Sequence, residues 1–528
     1  MVEIGIAFGD DVAQANGERA GELVDALVRD RAASRLFAHD AGLWGAEAEA
    51  EASIRLGWTD FAPAAERLIP GIESLREEFA RDGVDRIVLC GMGGSSLAPA
   101  VLARWAGVEL TMIDSTHPAV LARALSGDLA RTAVVVSSKS GSTIETRSHL
   151  ATFERAFRDA GIDPASRVVI VTDPGSPLDE ESRAVGRRVF NADPEVGGRF
   201  SALTAFGLVP SGLAGVDLRR LVDEAETVRA TLARDDAANP AVRLAAAIAA
   251  GLPQRFVLVV GEAANARWGL GSWIEQLVAE STGKEGHGVL PIALHPEAPE
   301  FREVPPQAVV VNVADGSAQP GSPDLGPVAD RGIVVAAPLG AQLLLWETAT
   351  ALLGRLMGID PFDQPDVEAA KVAARAALAE ADGSAPPAPS APPTAEILRR
   401  LRESVPAGGY LAIQAYVDPQ GEIAEALSEL RDRLASQLGV PTSLGFGPSY
   451  LHSVGQLHKG GPALGAFLQI GDTGAPEVPI PGSEGFGVLI AAQSRGDREV
   501  LAERGRPVIA VTLAADDRSV IDALLAAL

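Results

Sequence analysis

Apolar residues recur every three to four positions in GERAGELVDALVRDRAASRLF and again in FAPAAERLIPGIESLREEFA. That is the period of an amphipathic helix, so residues near 11 to 80 are expected to be helical. The pattern then changes. DRIVLC is a short apolar run, followed by the glycine-rich turn GMGGSS and a helical stretch, LAPAVLARWAG. ELTMID, TAVVVSSKS and RVVIVTD read as further strands, with TIETRSHLATFERAFRDAG as a helix before the last of them. Short apolar runs alternating with helices of this length predict parallel βαβ units and a doubly wound sheet.

A second set follows, with RFVLVVG, AVVVNVA and GIVVAAPL as strands and NARWGLGSWIEQLVAES and QLLLWETATALLGRLMG as helices. PDVEAAKVAARAALAEAD is expected to close it as another helix. GSAPPAPSAPP, residues 383 to 393, is a Pro/Ala/Ser linker with no means of burying itself. Beyond it GYLAIQAYV, GAFLQIG and PVIAVTL read as strands, interleaved with helical EIAEALSELRDRLASQLG, FGVLIAAQSRGDREVLAERG and SVIDALLAAL. The expected organisation is an N-terminal helical segment (1–80), a first α/β domain (81–215), a second (216–382), the linker (383–396) and a smaller C-terminal α/β domain (397–528).

Composition narrows the classes of function. With 47% apolar residues and 22% charged, the chain reads as globular. A net charge of −25 argues against a broad nucleic-acid surface, which needs clustered Lys and Arg. A small anion can still bind where a site is locally positive. The single cysteine, Cys90, excludes an intramolecular disulfide and disfavours a zinc–thiolate site. The seven histidines form no HxH or HExxH pattern, so no metal site is expected. The opening MVEIGIAFGDD is acidic and lacks an apolar run, and the apolar runs elsewhere are short. Neither a cleaved leader nor a membrane span is expected, and the cytoplasm is the expected compartment. Trp268, Trp273 and Trp346 lie on apolar helices and read as core, and Cys90 as an inert core residue.

Two loops of the first α/β set suit a phosphate. GMGGSSLAP (91–99) places glycines where the backbone turns tightly or approaches a ligand, then Ser95 and Ser96 at a helix start. SSKSGST (137–143) ends its strand in five hydroxyls, Lys139 and a glycine, directly before a helix. Ser and Thr at such positions most commonly cap helices. Two such loops at strand ends favour phosphate binding instead, because hydroxyls and a helix N-terminus both attract an anion. Neither loop is a Walker motif, and GMGGSS lacks the third glycine of the dinucleotide spacing.

VLCGMGGSSLAP together with SSKSGSTIET resembles the loop pair of sugar-isomerase (SIS) domains. VGGRFSALTAFGL (196–208), AESTGKEG (279–286) and PFDQPDVEAAK (361–371) narrow the resemblance to the glucose-6-phosphate isomerase family. HDAGLW, IRLGW and the C-terminal region resemble the isomerase half of bacterial transaldolase–isomerase fusions. The resemblance implies two doubly wound SIS-type domains with parallel sheets and a homodimer. It also implies a reaction that interconverts glucose 6-phosphate and fructose 6-phosphate without a cofactor. It implies that Ser138, Ser140 and Thr143, with the backbone around Lys139, hold the phosphate, and that Gly94 and Ser95 lie along the sugar. Glu280 matches the general base, Arg199 the cation beside the developing enediolate oxygen, and Glu145 a carboxylate one step removed. Lys371 and Gln364 match residues near the ring oxygen and hydroxyls. Moving a proton between adjacent carbons needs one base and a positive charge at the oxygen that becomes anionic, which suits this assortment.

One departure is informative. Many members carry a ring-opening histidine shortly after the glutamate, in a segment of the type LHSxGQ. Here STGKEGHGVLPIALHPEAPEF follows Glu280 without that motif, while YLHSVGQLHKGG stands at 450–461, beyond the linker. His452 is therefore expected to open the ring from the C-terminal domain, with His287 and His295 as competitors nearer in sequence. His458 and Lys459 are open between a solvated turn and a second phosphate contact. A dual glucose/mannose-6-phosphate isomerase and a non-catalytic SIS phosphosugar sensor are the alternatives. A sensor has no use for Glu280, Arg199 and Lys371 together.

Overall fold

A computed structural model describes residues 3–316, 331–365, 390–515 and 517–528. Residues 366–382 of the expected helix, Lys371 among them, and residues 383–389 of the linker lie outside the described residues, while residues 394–396, expected in the linker, open the helix Thr394–Ser404. The chain opens with a short strand, β1 (Gly5–Phe8), and then runs through helices that include Asp10–Arg29 and Phe61–Arg81. Strands β2 (Arg86–Gly91), β3 (Thr111–Ile113), β4 (Thr132–Ser137), β5 (Val168–Thr172) and β6 (Arg188–Asn191) form a parallel sheet in the order β3-β2-β4-β5-β6. Strands β7 (Val257–Glu262), β8 (Leu290–Ala293), β9 (Ala308–Ala314) and β10 (Ile333–Ala336) form a second. Its order is β1-β10-β9-β7-β8, parallel except for β1, which pairs antiparallel with β10. Strands β11 (Tyr410–Tyr416), β12 (Thr442–Phe446), β13 (Gly465–Thr473) and β14 (Val508–Ala514) make a third parallel sheet, β12-β11-β13-β14. The architecture is α/β with several parallel sheets, as SIS-type doubly wound folds require.

In the first sheet the connection after β2 runs outward to β3, and the chain then crosses back to β4. The strand order therefore reverses between β2 and β4, and open parallel sheets bind ligands at the carboxyl ends of strands at such a reversal. Register brings Gly91 of β2 opposite Ser137 of β4. The two loops singled out in the sequence consequently emerge side by side.

The third sheet is fused to both others. Tyr410, Leu457 and Phe467 share a core with Phe256, Leu290 and Phe301 of the second sheet region. Phe486 and Leu489 share one with Val136 and Phe153 of the first. Polar contacts reinforce the fusion: His117 Nε2 lies 3.0 Å from Asp472 Oδ1, Arg123 pairs with Asp418 at 2.7 Å, and the buried Arg431 pairs with Glu300. Trp268, Trp273 and Trp346 are buried, as is Cys90, whose thiol burial pushes far above its usual range. No described helix is long and apolar enough to cross a membrane.

Candidate functional site

Four segments meet at the β2/β4 reversal. The loop after β2 is squeezed between two others, and this is what its glycines are for. Gly93 has φ +55°, and a Cβ there would overlap the His452 carbonyl and the Gln276 amide. A Cβ on Gly94 would overlap the carbonyl oxygen of Gly198, immediately before Arg199. The obstacle at Gly94 is backbone, which cannot swing away. Gly94→Ala is therefore expected to cost about 3 kcal/mol, the upper end for overpacking. The check is thermal unfolding alongside kcat; an unchanged midpoint with native kcat would mean the loops are not in this contact.

Glu280 lies near the C-terminal end of the helix Leu270–Thr282 and is 4% exposed. Burial raises its carboxyl above the ordinary 4.5; Arg199, the hydrogen bond from Gln276, and the charges of His452 and Lys284 all pull it back. Gln276, one turn earlier on the same face, donates from Nε2 to Glu280 Oε2 at 3.1 Å and to the His452 carbonyl at 2.8 Å. Arg199 is 3% exposed, and its Nε and Nη2 donors are committed. Nε donates to Ser281 Oγ at 2.8 Å, and Nη2 to the carbonyls of Pro361 at 2.6 Å and Asp363 at 3.1 Å. Nη1 is left facing Glu280 Oε1 at 3.8 Å.

The His452 imidazole is held by a carboxylate. Its Nε2 lies 3.1 Å from Glu145 Oε1, in the first turn of the helix Ile144–Asp159. Burial alone would raise the Glu145 carboxyl, but the charge and hydrogen bond of His452 outweigh it and the net shift is downward. Glu145 is thus ionised and keeps the imidazole oriented. Ser449, three residues before His452, donates to Asp114 Oδ2 at 2.9 Å, at the end of β3. A continuous run of hydrogen bonds therefore links Glu280, Gln276, the His452 loop and Glu145.

Glu145 is two residues past Thr143, the N-cap of its helix, which makes no side-chain cap. Ser138 Oγ lies 3.0 Å from Thr143 Oγ1, and Gly141 turns the loop with φ +67°. Ser140 is exposed and bonds Ser142 at 3.0 Å. The Lys139 ammonium is spent on Asp173 at 2.7 Å and on the Pro194 carbonyl at 3.2 Å. What the loop offers an anion is hydroxyls and helix-start N–H groups. Ser95 is buried in the neighbouring loop.

Gln364 is exposed at the end of the segment that Arg199 grips. Lys284, buried four residues after Glu280, grips it too. Its ammonium donates to the carbonyls of Asp360 at 2.6 Å and Asp363 at 2.8 Å and pairs with the Asp363 carboxylate. The N-terminal tryptophans complete the frame, Trp58 stacking on Phe200 at 5.2 Å and Trp44 meeting Phe362 edge-on at 4.9 Å. Glu347, near Ala202 behind the Arg199 loop, has its carboxyl pushed well up by burial.

The sequence did not single out Gln276, Lys284, Asp114, Gln493 or Glu347. Gln276 and Lys284 were within reach, standing four residues either side of Glu280. Of the competing histidines, His287 is exposed, and His295 is 45% exposed and paired with Glu297 and Asp432. His458 and Lys459 do not form a solvated turn. Both are buried, the His458 ring against Tyr410 and Phe467 and Lys459 on Asp497. No group of His, Cys, Asp and Glu among the described residues could hold a metal ion.

No family model matches the chain. A glucose-6-phosphate isomerase of Thermus thermophilus is 31% identical over 396 residues, covering 62% of this chain and 91% of that protein. One of Synechococcus sp. JA-3-3Ab is 32% identical over 347 residues, covering 54% of this chain and only 65% of that protein. Among solved structures, a hypothetical protein from Thermus thermophilus superposes with a TM-score of 0.59 at 27% identity, over 71% of this chain and all of that one. A glucose-6-phosphate isomerase from Chlamydia trachomatis shares the fold, with a TM-score of 0.52 at 21% identity over 69% of this chain and 81% of that one. The fold and these likenesses define a phosphosugar isomerase of the SIS superfamily. Within it, the identity and coverage shared with the Thermus isomerase place the chain in the glucose-6-phosphate isomerase family.

Proposed function

We propose that the chain interconverts D-glucose 6-phosphate and D-fructose 6-phosphate through a cis-enediol. One observation carries the reading. Glu280, a buried carboxyl raised above its ordinary value, faces the buried Arg199 guanidinium at 3.8 Å. An aldose–ketose isomerase needs that pair, and a phosphosugar sensor does not. The relatives named as glucose-6-phosphate isomerases support the choice of substrate.

Ring opening breaks C1–O5; the C1 hydroxyl loses its proton and O5 gains one. With Nε2 donating to Glu145, His452 has Nδ1 left to take the proton from the C1 hydroxyl and pass it to O5. Glu280 then removes the C2 proton, and the electron pair moves through C1 onto the carbonyl oxygen. Arg199 Nη1 balances the charge that develops there. A proton passes from O2 to O1, Glu280 returns its proton to C1, and the carbonyl is left at C2. Ser138, Ser140, Thr143 and the backbone at Lys139 hold the 6-phosphate. Gly94, Ser95 and Gln364 line the sugar, and Lys371 acts near the ring oxygen.

On this reading the chain is a cytoplasmic homodimer. It is built from two SIS domains (81–215 and 216–382) behind a helical segment (1–80), with a linker (383–396) and a C-terminal domain (397–528) that supplies His452. An assay coupled to fructose 6-phosphate formation tests the reading, comparing glucose 6-phosphate with mannose 6-phosphate. Turnover of the first alone is expected. Turnover of both would make it a dual isomerase, and binding without turnover would make it a sensor.

A further inference from the structure

The C-terminal region contains a buried ion pair that the proposed reaction does not use. Lys459 and Asp497 side chains are 1% and 0% exposed, with Nζ 2.6 Å from Oδ1. Well-packed apolar residues of similar volume often serve stability as well as such a pair or better, so the pair poses the question of what it specifies. Its surroundings supply an answer. Asp497 also accepts from the Tyr450 hydroxyl at 2.5 Å, and Tyr450 is two residues before His452. The hydroxyls of Tyr450 and Tyr416 lie 3.0 Å apart. Lys459 stands on the short helix Gly455–Gly460 that leaves the same loop. Asp497 thus grips the His452 loop from both of its ends.

Asp497 lies on the helix Phe486–Glu503, and one turn earlier on that helix is Gln493. Positions i and i+4 share a face. Gln493 Nε2 donates to Glu145 Oε1 at 2.8 Å, the same oxygen that meets His452. Its amide cannot turn over without loss, because Oε1 accepts from Thr116 Oγ1 at 2.6 Å. One helix face therefore references both members of the His452–Glu145 couple.

We propose that the helix Phe486–Glu503 is the positioning element for ring opening, with Asp497 setting the backbone of the His452 loop and Gln493 setting the Glu145 carboxylate. Asp497, Lys459, Tyr450 and Gln493 are positioning residues, and the proposal rests on the role given to His452 above. It separates in experiment from the proton-transfer chemistry. Anomerisation of glucose 6-phosphate needs ring opening and closing but not Glu280, and magnetisation-exchange NMR follows it.

The test pairs Lys459→Met/Asp497→Leu with Gln493→Met. The first removes both charges together and keeps the volume, so a merely structural pair would be replaced without functional loss. Expected are native circular dichroism, an unfolding midpoint near wild type, nearly unchanged KM and catalysed anomerisation reduced about 10- to 100-fold, the scale of an ångström-sized misplacement. Wild-type anomerisation in the folded double variant overturns the proposal. If that variant does not fold, Gln493→Met decides. Its anomerisation is expected to fall about tenfold with native melting, and an unchanged rate overturns the proposal. His452→Asn is the control: normal anomerisation there would remove the ring-opening role itself, a failure distinct from that of the positioning element.

Discussion

Glu280→Gln is expected to lower kcat by at least about 10²- to 10⁴-fold, the range general-base catalysis supplies, while substrate still binds. The amide has the shape of the carboxyl but cannot take a proton from C2. The surroundings tolerate it, because its oxygen can still accept from Gln276 Nε2, now 3.1 Å from Oε2. KM should change little, since the hydroxyl loop and the grip on residues 360–363 do not involve this side chain. The wild-type pH profile gives a second reading. Burial raises the Glu280 carboxyl above 4.5 despite the opposing charges of Arg199, His452 and Lys284. A base acts only when ionised, so kcat/KM should fall as pH drops through the raised value, earlier on acidification than for an ordinary glutamate. The residual activity of Glu280→Gln should lack that limb. Near-normal turnover in the variant would remove the mechanism.

The strands that the sequence reading missed have a common cause. β1, β6, β8 and β12 are all edge strands. A central parallel strand is covered on both faces and reads as a continuous apolar run, as in IVLC and VLVV. An edge strand is short and needs no such run. β6 is RVFN and half exposed, β8 carries Pro291, and β12 carries Gly445 near its end. β1 was harder still, because it pairs with β10, more than 300 residues away. The helix expected from Asn265 starts instead at Leu270, after Gly269 adopts φ +76°.

At the site, motifs disclosed side chains but not their partners. AESTGK singled out Glu280, and YLHSVGQ singled out His452. That the two share Gln276 is a tertiary fact with no local signal. Gln493 and Asp497 sit in a helix that reads from sequence as ordinary. Their spacing of four acquires meaning only when Glu145 and Tyr450 arrive from elsewhere. Lys459 read as either a turn cation or a phosphate contact because lysines are rarely buried unless paired, and its partner is 38 positions on.

Arg199→Met should lower kcat about 10²- to 10³-fold, the cost of losing one donor aimed at a developing oxyanion. It should also move the acid limb, and the direction distinguishes electrostatics from simple misfolding. The Arg199 charge is the largest of the effects holding the Glu280 carboxyl down against burial. Removing it lets the carboxyl rise further, so the acid limb of kcat/KM should shift to higher pH. Lys284 and His452 remain and limit the shift. Stability should fall as well. Ser281 Oγ and the carbonyl of Pro361 lose their Arg199 donor, and a buried acceptor left unmatched costs about 1–3 kcal/mol. Lys284 still holds Asp360 and Asp363, so the segment before Gln364 should stay folded. A variant with reduced kcat whose acid limb stays in place would mean that Arg199 serves the fold and not the charge at Glu280.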